Sequence, residues 1–224
     1  MEAISISDFN NQKIEESDVI NRILAGEKEL YEILVRRNNQ KLYRVVRGYI
    51  KDEAEIEDIM QDSYVKAFTK LYQFKLESSF STWLIRIGIN ESLARLKAKE
   101  KLYFLDGQSA DYKSSMFFEV PDNKQLNPQD KMIRNETKQL VENAIDQLDT
   151  KYRMVYMMKE VEDMSLKEIS FALDLTVANV KVRLHRSKEM LKEKLYETAN
   201  DRNVFEFGFK RCDRITENVM SRIK

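Results

Sequence analysis

At 224 residues, with 42% apolar and 34% charged side chains, the chain can bury one or two cores, and its five Gly and two Pro are too few for a turn-rich all-β fold. The 38 basic and 38 acidic residues cancel to a formal net charge of zero, so any nucleic-acid surface must come from local segregation of charge. One Cys and one His exclude an internal disulfide and a Cys-based zinc site and leave a Ser-His triad or a His-rich metal site unattractive, so neither a metal nor another cofactor is expected.

In chain order, residues 1–17 are polar and read as a loose arm. They lack the basic-then-apolar order of a signal peptide, and no apolar run approaches the roughly 18 residues that span a bilayer, so a cytoplasmic protein without membrane insertion is expected. Asp18 to Lys51 read as two helices, with stripes through Ile20, Ile23, Leu30 and Leu34 and then Leu42, Val45, Val46 and Ile50. Asp52 to Tyr72 reads as one long helix with Ile56, Ile59, Met60, Tyr64, Ala67, Phe68 and Leu71 at helical spacing. Between Asp52 and Asp62 it carries six acids and no base. Like charges so close repel one another, and a basic partner would relieve that cost.

Phe74 to Ser79 reads as a loop and Thr82 to Lys101 as a further helix that ends in charge. Tyr72, Phe74, Phe80 and Trp83 form an aromatic block, the kind of platform on which unpaired bases stack when positive charge lies beside it. Phe80, Trp83, Leu84 and Ile87 also have core spacing, so Trp83 is expected to be packed rather than stacked on a base. Residues 106–131 lose all periodicity, hold both prolines and are rich in Ser, Asp and Asn, which is linker composition.

Ser165 to Leu195 reads as two helices joined by a tight turn. Ser165 and Glu168 form a capping-box pattern, Leu166, Ile169 and Leu173 make a buried stripe, and Asp174 can take a left-handed turn. Thr176 can cap the next helix, on which Val177, Val180, Leu184, Leu191 and Leu195 share a face. From Lys181 to Lys194 that helix has six Lys/Arg against two Glu. Such a second helix suits the DNA major groove, where Arg and Lys meet phosphates and guanine edges. In the tail, residues 197–224, Phe205, Phe207 and Phe209 alternate and Cys212, Ile215, Val219 and Ile223 form a stripe. This predicts an amphipathic extension that packs back on the second domain, with Cys212 as a small buried hydrophobe.

The acidic helix, the aromatic run SYVKAFTKLYQF, the Phe80-Ser81-Thr82-Trp83-Leu84 tract, the Arg86-Ile87-Gly88-Ile89-Asn90 segment and the basic helix-turn-helix occur in one order. In that order they resemble the extracytoplasmic-function (ECF) sigma factors of the sigma-70 family, from about Asp18 to Leu105 and from about Arg134 to Leu195. The resemblance implies an all-α protein of two helical domains: a region 2 bundle at 18–105 and a region 4 helix-turn-helix at 132–196, joined by the flexible linker 106–131. It implies a subunit that binds core RNA polymerase and directs promoter recognition at −10 and −35 without catalysing a reaction.

By the same resemblance, Glu53, Glu57, Asp58, Gln61 and Asp62 dock on the clamp helices of the polymerase largest subunit. The loop from Phe74 to Ser79, with the Ser78 and Ser79 hydroxyls, captures a flipped base of the −10 element. Arg86, Asn90, Arg95, Lys97 and Lys99 track the strand. Lys181, Val182, His185 and Arg186 face the −35 groove, while Arg183 and Lys188 hold phosphates. Many family members are masked by an anti-sigma factor, and the expectation extends to this chain. Ser170, Asp174 and Asp149 stand where the family usually has Ala, Gly and Pro, and the arginine cluster after Asn90 is thinner than usual. The alternative is a stand-alone helix-turn-helix activator, which leaves the acidic helix and the Phe80–Leu84 tract without a role. An enzyme finds no Gly-rich phosphate loop, metal spacing or nucleophile motif.

Overall fold

A computed structural model describes the backbone of residues 15–106 and 128–199, with side chains for 15–101 and 135–197. The arm, most of the linker and the tail with Cys212 lie outside the described residues. Eight α-helices account for most of the described chain: α1 (Glu16–Leu24), α2 (Tyr31–Arg47), α3 (Glu53–Thr69), α4 (Phe80–Asp106), α5 (Pro128–Asp146), α6 (Thr150–Tyr156), α7 (Leu166–Leu173) and α8 (Val177–Ala199). Short 3₁₀ turns at Lys28–Leu30 and Leu71–Gln73 and a π-helical turn at Met157–Val161 punctuate them. Among the described residues there is no strand.

Three boundaries differ from the sequence expectation. The third helix stops at Thr69, and Leu71–Gln73 tightens into a 3₁₀ turn. Helix α4 starts at Phe80 because two oxygens satisfy its first N–H groups: Glu16 Oε1 accepts from the Phe80 amide at 2.6 Å, and Ser79 Oγ accepts from the Thr82 amide at 3.2 Å. Helix α5 starts inside the expected linker, with Pro128 at its first position, where a missing N–H costs nothing.

Helices α1 to α4 enclose one core, with Ile20, Leu34, Leu42, Ile56, Ile59, Leu71, Phe80 and Leu84 fully buried. Two tyrosines cross-brace it: Tyr31 donates to the Tyr64 carbonyl at 2.8 Å and Tyr64 to the Val35 carbonyl at 3.1 Å. Where α2 crosses α4, a Cβ on Gly88 would stand 2.6 Å from Cδ1 of buried Leu42, so any side chain there would have to displace that leucine.

The second cluster does not respect the expected division of the chain. Val45 of α2 and Ile85 and Ile89 of α4 are buried together with Met154, Val155, Met158, Ile169, Ala172 and Val180 from the C-terminal half. At this seam Gly48 lies against the Met154 thioether, where a Cβ would collide with the sulfur. Polar contacts rim it. Arg47 grips the Asp146 carboxylate with two bonds of 3.0 Å, and Lys51 reaches the same group at 2.6 Å. Arg44 pairs with buried Glu162 at 2.7 Å, and Thr82 donates to Glu168 at 3.1 Å.

Candidate polymerase and promoter interfaces

Asp52 caps α3 by accepting the Glu55 amide at 2.9 Å, so one of the six acids serves the helix itself. A second turns inward: Glu55 is only 8% exposed and meets Lys99 at 2.5 Å and Arg95 at 4.0 Å. Glu53 is half-buried and accepts from the Tyr43 hydroxyl at 3.0 Å. This corrects the picture of six uncompensated acids. What remains exposed is Glu57, Asp58, Gln61 and Asp62, at positions i, i+1, i+4 and i+5, which is one side of the helix. Val65 lies exposed on the same helix one turn further on.

The aromatic block is mostly structural. Phe74 packs edge-on against Phe80 at 6.1 Å and tilts over Trp83 at 5.2 Å, and Phe80 is fully buried. Trp83 is therefore packed, as expected. Tyr72 stands apart from it at 72% exposure. Ser78 Oγ donates to the Ser79 carbonyl at 3.3 Å, while Ser79 Oγ is shared between the Thr82 amide and the Thr82 hydroxyl, at 3.2 and 2.9 Å. Ser79 thus spends its oxygen on starting α4.

The strand-tracking set on α4 divides in two. Asn90 and Lys97 are exposed. Arg95 and Lys99 hold Glu55. Arg86 is engaged by the C-terminal half: its guanidinium lies 4.7 Å from the centre of the Phe171 ring and 3.8 Å from Asp174. Sequence reading missed Thr82, Glu168 and Phe171 as partners of this region, because no local pattern marks a contact across some ninety residues of chain.

The helix-turn-helix follows the local chemistry of its sequence. Ser165 Oγ accepts the Glu168 amide at 3.2 Å while the Glu168 carboxylate accepts the Ser165 amide at 2.8 Å, a complete capping box. Asp174 turns left-handed with φ 54° and ψ 49°, and the Ser170 hydroxyl donates to the Leu175 carbonyl. Thr176 Oγ1 accepts the Asn179 amide at 3.2 Å and caps α8. Val180 and Leu191 are buried beneath α8, whereas Val177, placed on the same stripe by spacing, is partly exposed at its first turn. On the outer side Lys181, Val182, His185 and Arg186 are exposed together, again at i, i+1, i+4 and i+5. Arg183 is half-buried and donates to Asn179 at 2.9 Å, Lys188 pairs with Glu160 at 2.8 Å, and His185 lies 3.4 Å from Glu189. Asp149 opens α6 from an extended backbone, without a side-chain capping bond.

Comparison with known proteins adds two matched regions. The family described as Sigma-70 region 2 matches residues 34–101, and Sigma-70, region 4 matches residues 138–191. The ECF RNA polymerase sigma factor SigW of Bacillus subtilis is 29% identical over 177 residues, covering 79% of this chain and 94% of that protein. The ECF RNA polymerase sigma-E factor of Escherichia coli K12 is 26% identical over 187 residues, covering 83% and 96%. Among solved structures, the sigma factor RpoE in complex with the anti-sigma factor NepR from Bartonella quintana shares the fold with a TM-score of 0.60 at 18% identity, over 74% of this chain and 96% of that one. CnrH in complex with the cytosolic domain of CnrY does so with a TM-score of 0.56 at 23% identity, over 80% and 96%. With an acidic face on the region 2 match and a basic reading helix on the region 4 match, the chain belongs to the ECF sigma factors of the sigma-70 family, which bind core RNA polymerase and direct promoter recognition.

Proposed function

We propose the following division of labour within this sigma factor. Glu57, Asp58, Gln61 and Asp62, with Glu53 at the edge, dock on basic clamp helices of the polymerase largest subunit. The Phe74–Ser79 loop with Asn90 and Lys97 reads the −10 strand, joined by Arg86, Arg95 and Lys99 once their present partners release them. Lys181, Val182, His185 and Arg186 read the −35 groove, with Arg183 and Lys188 at its phosphates. The functional units are 18–105 and 132–196. The protein acts in the cytoplasm as a non-catalytic subunit, and an anti-sigma factor is among its partners. The single observation that carries this reading is the pair of exposed, oppositely charged helix sides, one on α3 and one on α8.

The same reading makes the described arrangement a resting form. Arg86 and Thr82 of the −10 side are held by α7 and its turn, so reading −10 in full requires α7 to leave. A stand-alone activator gives no reason for the acidic side of α3, and it is not favoured. The test is association with core polymerase. Reversing Asp58 and Asp62 to Lys removes two negative charges and adds two positive ones on an exposed surface. It should abolish co-purification with core at moderate salt while the far-ultraviolet circular dichroism stays that of the unaltered protein. Undiminished association of the double variant would refute the docking surface.

A further inference from the structure

Four described residues have a positive φ: Gly26, Asp163, Asp174 and Leu76. Glycine takes that conformation freely, and aspartate tolerates it because its short side chain can bond locally. Leucine has neither excuse, yet Leu76 sits at φ 58°. A side chain can be forced into such a backbone when burying it gains more than the strain costs, but Leu76 is 53% exposed. Strain left uncompensated by packing marks positions kept for use rather than for stability.

The surroundings say what use. Leu76 lies in the Phe74–Ser79 loop, next to exposed Lys75, with exposed Tyr72 on one flank and the packed Phe74–Trp83 pair behind it. Lys70 and Lys75 outnumber Glu77 on this stretch. Apolar and aromatic side chains beside positive charge suit unstacked bases and their phosphates. An exposed leucine at positive φ in this loop has the form of the apolar wedges that enter between base steps and unstack them.

We infer that Leu76 is such a wedge: it enters between neighbouring bases of the −10 element as the strands part, with Tyr72 as the adjoining stacking face and Lys75 at the phosphate. This rests on the reading of the loop as the −10 reader. It differs from base capture by the Ser78 and Ser79 hydroxyls, because it assigns strand opening rather than base choice to an apolar group.

The experiment compares the unaltered protein, Leu76→Gly and Leu76→Met, each assembled with core polymerase on one promoter. Permanganate reactivity of unpaired −10 thymines reports opening, and the thermal melting of each free protein reports folding. Glycine relieves the backbone and removes the wedge, so Leu76→Gly should melt at or above the unaltered protein, bind core equally and lose opening by about tenfold. Leu76→Met keeps an apolar side chain of similar length and should retain most of the opening on that promoter. Equal opening by Leu76→Gly overturns the wedge. So does a lowered melting temperature, which makes Leu76 a packing residue, and so does weakened core binding, which makes it a protein contact. If the unaltered protein opens no promoter with core, the promoter-reading function itself fails, and the wedge with it. That outcome is distinct from a defect confined to the variants.

Discussion

Lys181, Val182, His185 and Arg186 stand out from one side of α8, and none of them is buried against the rest of the fold. A residue in that position can be changed without disturbing a core. Lys181→Ala or Arg186→Ala should therefore leave the melting temperature unchanged and weaken −35 discrimination by about 1–3 kcal/mol where the lost contact is a good bidentate one. Competition binding of holoenzyme to promoters with altered −35 sequences measures it. An equal loss on all sequences would turn the residue into a phosphate contact. At this scale the sequence was legible wherever a residue's role is set by its neighbours in the chain, as for Ser165, Glu168, Asp174 and Thr176. It was not legible for Glu55, whose partner Lys99 lies on another helix. Counting acids along a helix cannot tell one that faces solvent from one that faces a lysine brought in by folding.

Helix boundaries show the same limit. The start of α4 is set partly by Glu16, a carboxylate on α1 that the local pattern around Thr82 could not reveal. The seam residues Met154 and Val155 of α6 and Met158 of the π-helical turn were not singled out from the sequence, because apolar side chains look the same whether they serve their own domain or a neighbour. The contact between α2 and α6 depends on Gly48 having no side chain. Gly48→Val is expected to disfavour that contact by about 1–3 kcal/mol through overpacking. In small-angle X-ray scattering the radius of gyration should rise. Adding Met154→Ala to make room should bring it part of the way back. A Gly48→Val protein as compact as the unaltered one would mean that the seam yields without opening.

For the whole molecule, the closed form is held by carboxylates that acid can discharge. Burial pushes the Asp146 carboxyl up, but the hydrogen bonds and charges of Arg47 and Lys51 outweigh it, and the group sits below its usual range. Burial likewise raises Glu168, and bonds from Ser165 and Thr82 bring it below the ordinary value. In a separated form Asp146 loses Arg47 and Lys51 and returns toward the usual Asp value, about 3.9, whereas Glu168 loses the Thr82 bond but keeps those from Ser165. The depressed Asp146 value in the closed form means that its advantage is fully present above that pH and is lost as pH falls through the lower, closed-form value. Donor and acceptor dyes placed on α1 and α8 should report a constant distance from neutral pH down to about 4 and a lengthening below it. Asp146→Asn should open the seam already at neutral pH. A distance that does not change in acid would show that the apolar seam alone keeps the halves together.

The shared cluster of Val45, Ile85, Ile89, Met154 and Val155 has a consequence for the lifetime of the active species. When the halves part, side chains that are now dry become wet on both sides at once. An open molecule that has not found polymerase carries two matching greasy surfaces, each able to stick to the corresponding surface of another open copy, to a chaperone or to a protease. If the open form is the active one, as proposed, it is thus self-limiting. It is either captured by its enzyme, re-closed, or cleared, and a cell that releases too much of it should lose the surplus to aggregation and turnover.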